Sequence, residues 1–208
     1  MVPVHLFLAH CISEYSFSNP MHLYRNKKWT DLAKHSIWML LVFLAFSFDV
    51  LFSSVGGLLI FLGACAMHFG IDVLRVKNQN QWLVEGLSLS LFLVYALALS
   101  FPFAASYVSP YFALYLTGMV CVSVIPTQLF RMLGVVDRNA TESEGISERL
   151  ALFIFLLAGQ YWFALIATVA AFLYRSFMPG LKPTKLWWLS PLLGWTLPFL
   201  FKWFIFGF

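Results

Sequence analysis

Two pairs of side chains in this sequence have the types and the spacing for chemistry. His10 and Glu14 are four residues apart, and so are His68 and Asp72, with Arg75 three further on. On a helix, four-residue spacing stacks two side chains on one face, within reach of one ligand. Imidazole nitrogen with carboxylate oxygen is a ligand set for zinc, manganese or iron, and three or four such ligands suffice. A metal held by His10, Glu14, His68 and Asp72 would activate water against a lipid-phase substrate. His35 or Glu85 would then serve as a further ligand or as general base. Lys27, Lys28 and Arg75 would draw in a phosphate headgroup as point charges. Two other readings use the same residues. One is a proton or ion relay, which needs no fixed coordination. The other is structural, with polar side chains bonding across helices for about 0.6 kcal/mol each.

These residues are set in a strongly apolar chain. Of 208 residues, 61% are hydrophobic and 11% are Asp, Glu, Lys or Arg, against about 25% charged in a soluble domain. A soluble domain of this length cannot hide so much apolar surface. In lipid every backbone N–H and C=O must be paired internally, which leaves helices or a closed barrel. Long apolar runs without period-two alternation exclude the barrel. The expectation is one all-α, polytopic membrane domain over residues 1–208. Residues 1–130 carry the His/carboxylate cluster, and residues 150–208 form C-terminal helices.

The net charge of +4 suits basic loops that fix orientation in a membrane. No basic run alternates with aromatics, so nucleic acid is not an expected partner. Cys11, Cys65 and Cys121 fall in apolar segments without CxxC spacing and read as small buried hydrophobes. No Lys or Arg precedes an apolar stretch at the N-terminus, so a standard secretory signal peptide is not expected.

A span needs about 20 predominantly apolar residues. Six to seven segments are expected. The first, residues 2–17, is short and carries His5, His10 and Glu14. The next are 36–52, 58–74, 82–103, 111–130 and 150–174. The last runs from Leu186 to the C-terminus, and Pro191 and Pro198 predict a kink or break. Two polar stretches, 20–35 and 131–149, read as loops with amphipathic pieces.

Charge orients these segments. With alternating crossings, the loops at 20–35, 75–81 and 131–149 share one side, with Arg25, Lys27, Lys28, Lys34, Arg75, Lys77, Arg131, Arg138 and Arg149. The first two loops on the other side hold no Lys or Arg, so the basic side is expected to be cytoplasmic. Arg175, Lys182 and Lys185 disagree. Either that loop is tolerated, or one of the last two segments is re-entrant. Alternation also brings His10, Glu14, His35, His68, Asp72 and Glu85 to the cytoplasmic leaflet.

Other polar residues carry less. His5 reads as structural, and Asp49 as a solvated carboxylate at the opposite interface. Gln128 and Gln160 suit bonds across helices. Gly118, Gly134 and Gly159 suit packing or hinges. No Walker, Rossmann or G-x-S-x-G pattern occurs. Trp187, Trp188 and Trp195 resemble an interfacial aromatic belt.

The stretch Ala9-His10-Cys11-Ile12-Ser13-Glu14-Tyr15, followed by Lys27, Lys28 and His35, resembles the start of an uncharacterised bacterial membrane family, catalogued as domain of unknown function 3307. Met67 to Arg75 is similar to that family's second signature, His-x3-Asp followed by a basic residue. Ser147-Glu148-Arg149-Leu150 through Tyr161 is similar to the Glu-Arg-Leu helix of its longer members. Together these touch most of residues 5–175. The family's Asp is Glu14 here, Ser18 stands near its Gln, and its Asp-Gln-x2-His is Asn80-Gln81-Trp82-Leu83-Val84-Glu85, without the His. The resemblance implies an all-helical protein of a bacterial inner membrane with a His/carboxylate cluster, and no assigned activity.

The functional expectation is a metal-dependent hydrolase or transferase acting on a lipid or lipid-linked headgroup, with a divalent metal such as zinc or manganese. The alternatives are an ion, proton or small-solute transporter or channel component, and a non-enzymatic scaffold. Membrane lipids are the expected partners, with a homo-oligomer or a protein partner in the membrane as a further expectation.

Overall fold

A computed structural model describes residues 2–16, 23–24, 28–78, 80–137, 142–177 and 185–206. Among the described residues the regular structure is helical, with no strand. The chain divides into two compact units, Met1–Thr117 and Gly118–Phe208.

The first unit holds α1 (His5–Cys11), which runs into a π-helical turn at Ile12–Ser16, then α2 (Trp29–Ser53), α3 (Val55–Lys77) and α4 (Gln81–Ala98). Local chemistry sets the boundaries. The Ser54 hydroxyl accepts from Gly57 N at 3.0 Å and caps α3, and Asn80 Oδ1 accepts from Leu83 N at 3.2 Å and caps α4. These side-chain oxygens satisfy N–H groups that a helix start leaves orphaned. Arg75 and Lys77 lie in the last turn of α3, where positive charge favours the helix dipole. Gly57 allows α2 and α3 to meet closely, because a Cβ there would collide with the Val50 carbonyl oxygen.

The packing is inverted relative to a water-soluble bundle. On α2, Leu32, Met39, Phe43 and Val50 form a buried stripe at helical spacing. Ile37, Leu40, Leu41, Leu44, Phe48 and Phe52 of the same helix are exposed. The buried positions meanwhile include His10, Glu14, His68, Asp72, Arg75 and Glu85. Apolar outside with ionisable inside is the arrangement lipid selects. Among the described residues, four helical stretches are long and apolar enough to cross a membrane: Trp29–Ser53, Val55–Lys77, Gln81–Ala98 and Pro110–Met132.

Of the three remaining expected segments, two are not single long helices. The first, 2–17, is a short helix enclosed by its neighbours: Leu6, Leu8, Ala9 and Cys11 are all buried, and α1 packs on α2 and α4. Its apolarity serves burial in the bundle. The expected 150–174 segment is two helices, α7 (Ser143–Leu157) and α8 (Tyr161–Phe177). Gly159, at φ +72°, ends α7. Its N–H donates to Leu156 O at 3.1 Å and that of Gln160 to Phe155 O at 2.7 Å, the paired bonds of a Schellman turn. The last segment, α9 (Leu186–Phe206), is a single helix with Pro191 and Pro198 inside it.

The second unit is built on α7, which packs against both α8 and α9. Because α7 and α8 form a hairpin, the start of one meets the end of the other: Arg175 Nη2 donates to Glu148 Oε2 at 2.5 Å. Arg175 therefore lies at the same end of this unit as Arg149.

The Pro110–Met132 stretch is itself interrupted, as α5 (Pro110–Ser123) and α6 (Ile125–Met132). Pro126 brings no N–H to the ladder. Thr127 N turns to Val124 O at 3.0 Å, so Ser123 O loses its expected helical donor. Arg149 supplies two replacements, from Nε at 3.0 Å and Nη2 at 2.9 Å. Broken backbone at membrane depth requires such partners.

Candidate functional site

The site in the first unit gathers near one end of α2, α3 and α4. His35 lies in the second turn of α2, His68, Asp72 and Arg75 on the last turns of α3, and Glu85 and Ser88 on the first turns of α4. The π turn inserts Ser13 and Glu14 among them. All are buried except His35, whose side chain keeps 9% exposure.

Glu14 Oε1 is the hub. His68 Nε2 lies 2.9 Å from it, His35 Nε2 3.4 Å and Arg75 Nη1 2.6 Å. The Asp72 carboxylate sits opposite. Its Oδ2 is 3.2 Å from His68 Nδ1 and 3.6 Å from His35 Nε2, and its Oδ1 accepts from Arg75 Nη1 at 2.6 Å. One ligand atom each from Glu14, His35, His68 and Asp72 lies within 4.8 Å of the others. A metal with ligands at about 2.1 Å spans about 4.2 Å at most. In a tetrahedron the ligands sit about 3.4 Å apart, so the widest pair would have to close by about 1.4 Å to enclose an ion.

Arg75 spends all five N–H donors here. Nε and Nη2 clasp the two Glu85 oxygens at 2.9 and 3.0 Å, Nη2 also reaches Ser88 Oγ at 3.4 Å, and Nη1 serves Glu14 and Asp72. Glu85 is held from its other side by the Tyr15 and Tyr24 hydroxyls, at 2.8 and 2.9 Å. Burial, and then the Glu85 charge, raises the Tyr24 pKa, which keeps that phenol a donor. Three buried carboxylates thus share one guanidinium, and this excess of negative charge suits a bound cation.

The site differs from the expected ligand set at one position. His10 is beside the cluster, its ring 5.2 Å from that of His68, but it is turned away. Its Nε2 is 2.9 Å from Ser88 Oγ, and its ring stacks on Phe92 at 3.9 Å. The π turn begins between His10 and Glu14 and breaks the four-residue register that would have put them on one ligand. His35, expected as a base or spare ligand, takes the fourth place. Glu85, expected in the same role, is engaged by Arg75 and two tyrosines. Arg75, expected on a headgroup, is fully buried among carboxylates. Lys28 is exposed where α2 begins, and Lys27 lies outside the described residues.

Tyr15, Tyr24, Ser13 and Ser88 belong to the site without having been singled out in the sequence. Ser88 carried a signal, three residues after Glu85 in an otherwise apolar run. His5 has a structural place, with Nε2 2.6 Å from Val108 O and its ring stacked on Phe103. Asp49 accepts from Ser106 Oγ at 3.2 Å and Tyr107 N at 2.9 Å, so it orders a turn. Gln128 is buried, and its amide has no hydrogen-bond partner among the described residues.

A second buried polar centre, in the other unit, was also missed. Arg149 donates to Glu142 and Ser190 from Nη1, at 3.0 and 2.9 Å, and to Thr127 from Nη2 at 2.7 Å. Ser190 passes its own proton to Glu148 Oε2 at 2.9 Å. The Glu142/Arg149 spacing of seven residues, two helical turns, was the available signal.

Fold and site together define a helical protein with membrane-length apolar helices, four among the described residues, and a buried His/carboxylate cluster. No protein-family profile, curated protein or solved structure matches the chain.

Proposed function

We propose that this is a multi-pass membrane metalloprotein that binds a divalent cation such as zinc or manganese through Glu14, His35, His68 and Asp72, and uses it for hydrolysis or group transfer on a lipid or lipid-linked headgroup. The observation that carries the reading is the convergence of two imidazoles and two carboxylates from three separate segments onto one point. The position of the cluster, within a few turns of the ends of α2, α3 and α4, suits headgroup chemistry better than passage through the bilayer centre. A cation there would polarise a substrate oxygen or lower the pKa of a bound water. His35 is the one ligand with an exposed edge and so the natural side of approach. Exposed Lys28, Lys34 and Lys77 at the same helix ends supply phosphate-attracting charge. Placement at the cytoplasmic face of a bacterial inner membrane, and kinship with the domain of unknown function 3307 family, belong to the same proposal and rest on loop charge and on the motifs at 9–15 and 67–75.

A specific observation favours a second reading. Both His68 nitrogens face carboxylates, and Ser13 Oγ lies 3.3 Å from Nε2. That arrangement also suits proton relay, with charge supplied by protons in place of a metal. Elemental analysis of protein purified in detergent separates the two. One equivalent of a transition metal, lost in the His68→Ala/Asp72→Ala double variant, supports the metalloprotein. Metal-free protein that conducts protons in vesicles supports the relay. Metal-free protein without conduction leaves the cluster as helix-to-helix adhesive.

A further inference from the structure

We infer that Arg75 is a built-in counter-cation that competes with the metal for Glu14 and Asp72, and that Glu85, with Tyr15 and Tyr24, is the seat it keeps when the metal binds. The inference rests on the metalloprotein reading above and adds how the site is regulated.

The guanidinium has two working edges. Nη1 occupies Glu14 Oε1 and Asp72 Oδ1, both at 2.6 Å. Glu14 Oε1 lies within 3.4 Å of both His68 and His35, so a metal held beside both histidines would meet the oxygen Arg75 is using. The opposite edge, Nε and Nη2, forms a two-pronged grip on Glu85. Paired, parallel N–H donors to one carboxylate are the strongest form of this contact. Glu85 is itself fixed by two tyrosine hydroxyls. A divalent cation arriving at Glu14 and Asp72 repels Nη1 while leaving the Glu85 grip intact. Arg75 then withdraws toward Glu85 without becoming an unpaired buried charge, the outcome that would otherwise be costly. Empty, the site is held closed by its own arginine, which lowers affinity and rejects weakly held ions.

Glu85 is in this view a positioning residue that acts through Arg75. The test is zinc and manganese titration of the full chain in detergent, against a competing chromogenic chelator, with thermal unfolding as a check on folding. Arg75→Gln is expected to bind at least about tenfold more tightly, because a unit charge within several ångströms of the ion is removed from a low-dielectric site. Glu85→Gln is expected to bind about tenfold more weakly, since Arg75 settles onto Glu14 and Asp72. The Glu85→Gln loss should shrink by more than half in the Arg75→Gln background, because Glu85 works through the arginine. Tyr24→Phe, a mild change outside the helices that carry the ligands, should weaken binding a few-fold and serves if Arg75→Gln fails to fold. Tighter binding in Arg75→Gln together with a non-additive double variant establishes the competition. Unchanged or weaker binding in a folded Arg75→Gln, a fully additive double variant, or an unaltered Tyr24→Phe where Arg75→Gln is unfolded overturns it, while metal binding by the unmodified chain keeps the metalloprotein reading. Absence of metal binding in the unmodified chain and in all variants overturns both.

Discussion

The ligand set can be tested by exchanging the roles of two histidines. His10 and His35 both border the cluster, but they do different work. His35 Nε2 lies 3.4 and 3.6 Å from the Glu14 and Asp72 oxygens, close to the edge of about 3.4 Å that a tetrahedron has when its ligands sit about 2.1 Å from the metal. His10 gives its Nε2 to Ser88, and its fully buried ring is stacked on Phe92. His35→Ala therefore removes one ligand of four from a preformed set. Its expected cost is at least 100-fold in zinc affinity, about 2.7 kcal/mol, with a small effect on folding because the side chain is at the edge of the bundle. His10→Ala instead leaves a cavity between α1 and α4. Its expected cost is about 2–4 kcal/mol of stability, with metal affinity changed by less than about tenfold. Chelator competition measures the first quantity, and thermal unfolding in detergent without added metal measures the second. Equal loss of affinity in the two variants, or loss in His10→Ala alone, would refute the geometry and restore the His10, Glu14, His68, Asp72 set.

Other perturbations address the scaffold. Metal at about 100 times its Kd should stabilise the unmodified chain by about 2.7 kcal/mol, and Asp72→Asn should abolish that shift in a thermal scan. Arg149→Met strips Ser123 O and the Glu142 carboxylate of their buried donor, so it should cost about 3–5 kcal/mol. Arg149→Lys should restore little of this, because an ammonium cannot reach both edges at once. Gly57→Ala should cost about 1–3 kcal/mol by forcing α2 from α3 at the Val50 carbonyl, read as a lower melting temperature. Because α7 and α8 form a hairpin, single cysteines placed at Asp137 and Lys185 should react with an impermeant maleimide from the same face of sealed vesicles. Labelling from opposite faces would mean that α7 and α8 do not return together.

Much of the helical framework was legible because long apolar runs admit one solution in lipid. The 36–52 and 58–74 segments fall within α2 and α3, the 82–103 segment overruns α4 by residues 99–103, and His68, Asp72 and Glu14 could be recognised from charge placed where charge is costly. What escaped the sequence depended on small departures from regularity. A single underwound turn at Ile12–Ser16 decides that Glu14 and not His10 faces His68. One glycine in the left-handed region, Gly159, converts an apparent 25-residue span into a hairpin. Neither residue type announces this, since Gly is tolerated inside membrane helices and a π turn has no sequence signature. Arg149 and Glu142 looked like loop charges because their partners, Ser123, Thr127 and Ser190, come from distant segments and are individually unremarkable in sequence.

The two arginines with no exposure, Arg75 and Arg149, show why the first unit, and not the second, is suited to recruit a cation. Both are fully buried, and both spend all five donors. Arg149 meets one carboxylate, from Glu142, and otherwise neutral oxygens of Ser123, Thr127 and Ser190, while Glu148 has Arg175. No carboxylate is in excess among these contacts, and a divalent ion would have to displace a guanidinium whose one carboxylate partner among the described residues is Glu142. Arg75 meets three carboxylates and one hydroxyl, and two imidazoles line the same acids. An ion entering beside Glu14 and Asp72 displaces only one edge of Arg75, the other stays paired with Glu85, and the total charge of the cluster moves toward neutrality. Burial of an arginine alone therefore does not distinguish a functional centre from a structural clamp. The excess of carboxylate around it does, which is why replacing Glu142 should destabilise the second unit without changing metal content, whereas replacing Glu14 should remove the metal.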